Sequence, residues 1–344
     1  IVYDMAPAAT LYLVNFETAT QLGQAIDFLI SERVQIVNTS FNFLTGCPWE
    51  AKGIIEPIVA KARAAGIFWD VSVGNHATEH WQGTFSDPDS DGFHNFKDSD
   101  EELTFNVDAG EVDEFLAVFS WEDRCDAATD DYDLLLFDDR GQQLERARWL
   151  RTGYPLKVLF FDLRDSGIYH LKIQRKTGTR SSRLDITTPD LEPEYKTIEG
   201  SVSIYEPAIS RNAFSVGAFH HADKKLAFYS SRGPTKDGRI KPDIAAPAHV
   251  CTVTYGDCGG WGFGGTSASA PHVAGAAALV RQVFPSYTPE QIQQFLEDHA
   301  EDRGPPGKDN DWGAGQLVLG PLPTQPTRPA APSNLSTSAR SPTT

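Results

Sequence analysis

A serine in a glycine-rich stretch is the residue best suited to covalent chemistry. Ser267 stands in GGTSASAPHVAG, Gly264 to Gly275, directly before the helix-forming run Ala268 to Val283. The pattern predicts that Ser267 lies at or just before a helix N-terminus, where unpaired N–H groups and the helix dipole favour negative charge. A serine that attacks a carbonyl needs that setting, because the oxygen of the tetrahedral intermediate becomes an anion. The alternative role is an N-cap, a common use of serine.

Asn75 is a second polar residue in a position that could do chemistry. Gly74-Asn75 follows IFWDVSV, Ile67 to Val73, an apolar run that predicts a β-strand. At the end of a strand, an amide side chain can point its N–H donors into a cleft. The alternative is a turn residue in the left-handed conformation, which asparagine tolerates.

Four segments together resemble one known family. The string around Ser267 resembles the nucleophile motif G-T-S-x-[AS]-x-P-H-V-[AS]-G of the subtilisin-like serine peptidases. The other segments are DMAPAATLYLVNF with VQIVNTSFNF, GIFWDVSVGNHA, and SSRGPTKDGRIKPDIAAPA, so the resemblance covers 1–77 and 200–320. It implies that Ser267 is the nucleophile and that Asn75 donates to the oxyanion beside the backbone N–H of Ser267. Loss of one such donor typically lowers turnover roughly 100- to 1000-fold.

The base and carboxylate of a catalytic triad have no matching motif in this sequence. The family provides them in H-G-T and D-[ST]-G, both N-terminal to the serine, and neither string occurs here. His272 falls in the P-H-V segment, where the resemblance implies a packing role, and His220 and His221 follow a predicted strand. His76 follows Asn75 without an evident orienting carboxylate. We therefore expect a fragment whose parent carries both motifs upstream of Ile1, and little or no proteolysis by this chain alone.

Two short segments resemble the strands that form the family's primary specificity pocket. Their residues are Ser40, Phe41, Asn42, Ser72, Val73 and Gly74. A polypeptide substrate would lie along this cleft as an added strand. The family's S-L-G-G here ends in Asn42-Phe43, so we expect a narrowed or reshaped pocket mouth. Asp70, in the strand before Gly74, should have a partner or an exposed position, because burying an unpaired carboxylate is costly.

An acidic loop predicts a calcium site. Asp87 to Gly92 has the form D-x-D-x-D-G, and alternate carboxylates around a glycine turn supply oxygen ligands for calcium, as in EF-hand-type loops. The predicted ligands are Asp87, Asp89, Asp91, the carbonyl of Phe93, and Asp98 at the twelfth position. The closing residue is Asp rather than Glu, and no helical pattern flanks the loop. The alternative is a solvated acidic loop. No organic cofactor is predicted.

Composition excludes some partners. The 344 residues carry a net charge of −17, which disfavours nucleic acid and anionic membrane surfaces. No apolar run reaches the ~18 residues that a membrane span needs. Four cysteines allow a local Cys251–Cys258 bridge, or four free thiols; zinc is not indicated, because no C-x-x-C pair occurs.

Hydrophobic periodicity predicts an α/β fold with an all-β interruption. In the first part, predicted strands alternate with predicted helices, as in a parallel sheet. The strands are Leu11–Phe16, Val34–Phe41 and Ile67–Val73, and the helices between them are Thr18–Arg33 and Gly53–Ala65. Six short β-rich runs then follow between Leu103 and Thr187. We predict a subtilisin-like parallel-sheet, three-layer domain, interrupted by an antiparallel β-sandwich insertion. Its parts are 1–85, the insertion 86–195, 196–320 with the nucleophile, and a disordered Pro/Ser/Thr-rich tail 321–344.

Three functions of different classes remain open. The leading hypothesis is a serine endopeptidase acting through an acyl-enzyme. The alternatives are a non-catalytic relative that binds peptides or a partner, and a carbohydrate or cell-wall module centred on the sandwich. Ser267 and Asn75 favour the enzyme, since a binding relative needs neither. The resemblance to the family, the acidity and the Pro-rich tail favour an extracellular location. We expect a monomer whose partner is a polypeptide substrate, without nucleic acid or membrane insertion.

Overall fold

A computed structural model describes residues 1–43, 46–47, 49, 52–149, 153–202, 205–255 and 262–320. The helices are α1 Val2–Met5, α2 Ala19–Ser31, α3 Glu56–Ala64, α4 Thr266–Val283 and α5 Pro289–His299. The strands are β1 Ile36–Thr39, β2 Gly46–Cys47, β3 Lys52–Gly53, β4 Phe68–Ser72, β5 His80–Thr84, β6 Leu103–Val107, β7 Glu114–Trp121, β8 Asp131–Asp138, β9 Gln143–Arg146, β10 Arg148–Trp149, β11 Leu156–Asp162, β12 Gly167–Thr177, β13 Arg183–Thr187, β14 Phe214–His220 and β15 Ile244–Ala248.

A four-stranded sheet in the order β1-β4-β14-β15 is parallel throughout. Side chains alternate across it, so Trp69, Val71 and Val73 pack with α2 and α3, whereas Phe68 and Phe214 pack with α4 and α5. Helices therefore cover both faces, which confirms the predicted parallel α/β architecture. Thr18 and Thr288 each form a capping box with a glutamine three residues on, and these boxes fix where α2 and α5 begin.

The apolar run Leu11–Phe16 is not a strand, contrary to prediction. Its side chains lie largely in solvent, and Leu13 is 97% exposed. A strand needs the N–H and C=O groups of a neighbour, and among the described residues β1 pairs with β4 alone. An apolar run without a pairing partner therefore stays irregular.

Residues 80–187 form two antiparallel sheets, β10-β11-β7-β13-β5 and β6-β12-β8-β9. Their inner faces share one core, which includes Phe115, Phe119 and Trp121 from one sheet and Leu134 and Leu171 from the other. The six predicted runs coincide with strands, whereas β5, β9 and β10 were not predicted. Because β5 pairs with β13, the antiparallel region begins before the predicted boundary at 86.

Cys47 and Cys125 form a disulfide with Cα atoms 5.7 Å apart, so the alternative of four free thiols is wrong. The predicted Cys251–Cys258 bridge involves Cys258, which lies outside the described residues, as does the predicted tail 321–344. None of the helices in the described ranges combines the length and apolar character that crossing a bilayer requires.

Candidate active site

The carboxyl end of β4 delivers Asn75 to the edge of the parallel sheet. Gly74 has φ +110°, a conformation that residues with a Cβ rarely adopt, and a Cβ there would lie 3.0 Å from Ser231 Oγ. Its N–H donates to Thr266 Oγ1 at 3.2 Å, and its carbonyl accepts from the Ser231 N–H at 2.9 Å. These contacts fix the turn from which the Asn75 side chain projects.

Ser267 is the second residue of α4, and Gly265 is the N-cap. No side chain caps this helix, so Ser267 is not an N-cap serine. The residue is partly exposed, and no hydrogen bond to its hydroxyl occurs within the described ranges. The hydroxyl therefore remains available at the positive end of a helix of 18 residues.

Asn75 is fixed by Thr266, the residue before the serine. Asn75 Oδ1 accepts from the Thr266 N–H at 2.9 Å and from the Thr266 hydroxyl at 3.0 Å. Because a backbone N–H needs an acceptor, these bonds orient the amide and leave Nδ2 as a donor. A Cβ on Gly265 would lie 3.1 Å from that Nδ2, so a larger residue would crowd the donor. Sequence reasoning missed Thr266, whose spacing from Asn75 carries no signal.

The first N–H groups of α4 have different partners. Thr266 N donates to Asn75, and Ala268 N donates to the Gly265 carbonyl at 3.0 Å. Among the described residues the Ser267 N–H has no acceptor. The Ser267 N–H is therefore, with Asn75 Nδ2, a second donor at the start of α4, and two such donors can stabilise an oxyanion.

The segments predicted to bind substrate lie at the carboxyl ends of β1 and β4, which are neighbours in the sheet. Ser40 Oγ donates to the Ser267 carbonyl at 3.3 Å, so this segment reaches the nucleophile. Phe41 packs edge-to-face on Phe16 and on Phe43. In the second segment the side chains of Ser72 and Val73 are buried. Of the six predicted substrate-binding residues, all of which are described, only Ser40 forms a hydrogen bond with Ser267.

No histidine within the described ranges hydrogen-bonds the Ser267 hydroxyl. His272 Nδ1 instead contacts the Ala268 carbonyl at 2.8 Å within α4, and burial lowers the pKa of His272. His76 does have a carboxylate partner, contrary to the sequence analysis: Nδ1 lies 2.7 Å from Glu79 Oε2. The His76 ring also packs on Tyr205, with ring centroids 4.9 Å apart.

Asp70 is fully buried in β4 opposite Asn38, its neighbour on β1. Asn38 Nδ2 donates to Asp70 Oδ1 at 2.6 Å, which supplies the expected partner, whereas Asp70 Oδ2 has no partner within the described ranges. Burial raises the pKa of Asp70 well above its ordinary value, and the Asn38 hydrogen bond offsets part of that effect.

In the acidic loop, Asp87, Asp89 and Asp91 place carboxylate oxygens within 4.8 Å of one another. Asp98 does not join that group, contrary to prediction, because the chain turns back sharply between Lys97 and Asp100. Phe93 donates its N–H to Asp91 Oδ1 at 2.8 Å. Glu101, which was not predicted, lies beside Asp91; burial first, and then Asp91, raises the pKa of Glu101.

Part of the chain is similar in sequence to known proteins. The sequence model of the subtilase family matches residues 190–315. Bacillopeptidase F of Bacillus subtilis is 35% identical over 125 residues, 34% of this chain and 8% of that protein. Subtilisin Savinase of Lederbergia lenta is 37% identical over 116 residues, 34% of this chain and 39% of that protein. The matched segment thus spans less than half of either relative.

Among solved structures, a clostridial protease resembles most of the chain in fold. The CspB protease of Clostridium perfringens superposes with a TM-score of 0.62 at 18% identity, covering 90% of this chain and 72% of that chain. At that identity the likeness concerns the fold. In sequence the chain is thus similar to the subtilase family over residues 190–315, which include Ser267, and in fold it is similar to the CspB protease.

Proposed function

We propose that this chain carries the nucleophile half of a serine endopeptidase site. Ser267 attacks the carbonyl carbon of a peptide bond, the amine leaves, and water then hydrolyses the acyl-enzyme. Asn75 Nδ2 and the Ser267 N–H stabilise the oxyanion. The observation that carries this proposal is the pair of hydrogen bonds that holds Asn75 Oδ1 on Thr266 and leaves Nδ2 beside Gly265.

The reaction also needs a base to take the Ser267 proton. Because none of the described histidines hydrogen-bonds that hydroxyl, we propose that a histidine and its carboxylate come from polypeptide outside these 344 residues. Two features support such a segment: the exposed apolar run 11–14, and the outer edge of β1, which pairs with no strand in the described part of the chain. Alone, the chain should hydrolyse little or no peptide.

The substrate in this proposal is a polypeptide that lies along the carboxyl ends of β1 and β4. Main-chain hydrogen bonds would give affinity, and side-chain pockets would give specificity. The contact between Ser40 and the Ser267 carbonyl supports this path, because it brings the first segment to the nucleophile. An extracellular, monomeric protein is part of the same proposal; one relative is named a minor extracellular protease of Bacillus subtilis.

The test compares residues 1–344 with a longer protein that includes the coding sequence upstream of Ile1. The longer protein should hydrolyse casein and fluorogenic peptides, Ser267→Ala should abolish turnover, and Asn75→Ala should lower it roughly 100- to 1000-fold. Turnover by residues 1–344 that Ser267→Ala abolishes would place the base inside this chain. Peptide binding without turnover by the longer protein would favour the non-catalytic relative.

We further propose that residues 80–187 form an inserted β-sandwich domain and that its Asp87–Asp91 loop binds calcium. Three carboxylates whose oxygens lie within 4.8 Å of one another repel each other, a cation among them would offset this repulsion, and oxygen ligands suit calcium. Calorimetry with CaCl₂ should give a binding heat and raise the melting temperature, and Asp89→Asn should remove both effects. Asp139→Asn, on an exposed turn of the same region, is the matched control. Absence of heat and an unchanged melting temperature would contradict the site.

A further inference from the structure

Tyr229 bonds directly to the residue that begins the nucleophile helix. Its hydroxyl accepts the Gly265 N–H at 3.0 Å and lies 2.8 Å from His249 Nε2. The Tyr229 oxygen accepts from Gly265, and the same hydroxyl can donate its one proton to His249 Nε2. Burial raises the pKa of Tyr229 to about 12, and the phenol therefore keeps this proton near neutral pH.

His249 is held rigidly against the same turn. Its ring stacks on His220 with centroids 4.0 Å apart and planes inclined by 6°. A Cβ on Gly264 would lie 2.9 Å from His249 Cε1, so the glycine makes room for the imidazole. Val250 and Phe263 exchange backbone hydrogen bonds at 3.1 and 2.8 Å, which fixes the His249 segment beside Gly264.

These contacts set the direction of the Ser267 N–H. The orientation of an N–H group at a helix start depends on the peptide planes that precede it. Tyr229 holds the Gly265 N–H, and Asn75 holds the Thr266 N–H. Two successive N–H groups, those of Gly265 and Thr266, are therefore each held by a side chain from another segment. The next N–H along the chain is that of Ser267. A looser Gly265 would let this donor move away from the position that an oxyanion takes.

We propose that Tyr229 and His249 are positioning residues for the oxyanion hole: His249 orients the Tyr229 hydroxyl, which fixes Gly265 and thereby the Ser267 N–H. The proposal rests on the proposed peptidase function, because it assigns the Ser267 N–H to the oxyanion. In this proposal Tyr229 acts through its hydroxyl oxygen, so removing that atom alone should change the position of the Ser267 N–H.

The test uses the chain of residues 1–344 labelled with ¹⁵N-glycine and ¹⁵N-serine. In Tyr229→Phe the ring remains and only the hydroxyl is lost. Hydrogen exchange at the Gly265 amide should then become roughly tenfold faster, the factor that one ordinary hydrogen bond gives, and the Ser267 amide resonance should shift. His249→Gln, whose amide can still accept from the phenol, should change exchange less than His249→Ala. Tyr255→Phe, an exposed tyrosine, is the control.

Phenylboronic acid gives the functional readout, since it binds a serine oxygen as a tetrahedral anion and releases a proton to solvent. Tyr229→Phe should weaken its binding at Ser267 roughly tenfold, whereas Tyr255→Phe should not. Unchanged Gly265 exchange in Tyr229→Phe overturns the proposal, as does faster exchange with unchanged boronate affinity. If residues 1–344 without substitutions bind no boronate, the proposed function fails at this step. The Ser267 amide shift in Tyr229→Phe then decides alone whether Tyr229 and His249 position the helix start.

Discussion

Asn75 and Thr266, 191 residues apart in sequence, hold each other through two hydrogen bonds at 2.9 and 3.0 Å. The Thr266 hydroxyl also accepts the Gly74 N–H at 3.2 Å, so one buried oxygen joins the end of β4 to the start of α4. The amide and the nucleophile therefore share a single anchor. Its removal should affect both the stability of the fold and the geometry of the site.

Thr266→Val keeps the shape of the side chain and removes that oxygen. We expect the free energy of unfolding to fall by about 1–3 kcal/mol, because the Gly74 N–H would lose its acceptor in a buried place. Urea denaturation measures the change, with Thr10→Val at an exposed position as the control. Equal stability of the two variants would mean that the Thr266 hydroxyl does not join the elements.

Asp70→Asn should stabilise the protein progressively as pH rises. Burial raises the folded-state pKa of Asp70 well above its ordinary value, so folding favours the protonated acid. That contribution is complete below the unfolded pKa near 4 and is lost as pH rises toward the folded pKa. The neutral amide avoids the loss and can still accept from Asn38.

Urea denaturation of wild type and Asp70→Asn at pH 4.5, 6 and 7.5 measures this effect. The difference in unfolding free energy should grow with pH by at most about 1.4 kcal/mol per unit. Asp139→Asn, with an exposed side chain, should give no such trend. A constant difference across the series would show that Asp70 titrates normally.

Local patterns predicted the elements around the site, and long-range contacts decided its details. The α5 start could be read from Thr288 and Gln291 because a capping box acts within one turn. The strand β7 could be read from its alternation and apolar content. The anchoring of Asn75 on Thr266 could not be predicted, since nothing in either segment encodes the other.

The errors have the same origin. Leu11–Phe16 has strand-forming residues but no neighbour to pair with among those described, and pairing, not propensity, makes a strand. Asp98 was selected because it is the twelfth residue of the loop, and that rule assumes that the chain keeps curving around one centre. Hydrogen bonds between Lys97 and Asp100 instead reverse the direction of the chain there. Glu79 lies beside His76 by a turn that carries no recognisable pattern.

Lys236→Met should destabilise the contact between the parallel and antiparallel sheets. Lys236 and Asp185 form a fully buried ion pair, and His80 Nε2 lies 2.8 Å from the same carboxylate oxygen. Burial raises the pKa of Asp185, but the charges of Lys236 and His80 outweigh that effect and hold this pKa below its ordinary value. Removing the lysine leaves a buried carboxylate without its main partner, which typically costs about 3–5 kcal/mol.

Thermal and urea unfolding measure this cost, and Lys225→Met, at an exposed site, is the matched control. Asp185→Leu added to Lys236→Met should recover part of the loss, because it removes the unpaired charge. If Lys236→Met is no worse than Lys225→Met, the pair contributes nothing to holding the two regions together.

Glu206→Gln should flatten the pH dependence of stability between about pH 4.5 and 7. The Glu206 carboxylate accepts the N–H groups of Ile55 and Glu56 at 3.3 and 3.2 Å, at the start of α3. Burial nevertheless dominates and raises the pKa of Glu206 to about 7. The protonated acid therefore stabilises the fold below pH 4.5, and this stabilisation is lost as pH rises through 7, by roughly 3 kcal/mol in total.

Unfolding free energies of Glu206→Gln should lack this component, while exposed Glu114→Gln should retain it. Parallel curves for wild type and Glu206→Gln would mean that the carboxylate ionises at an ordinary pKa, with the α3 N–H groups outweighing its burial.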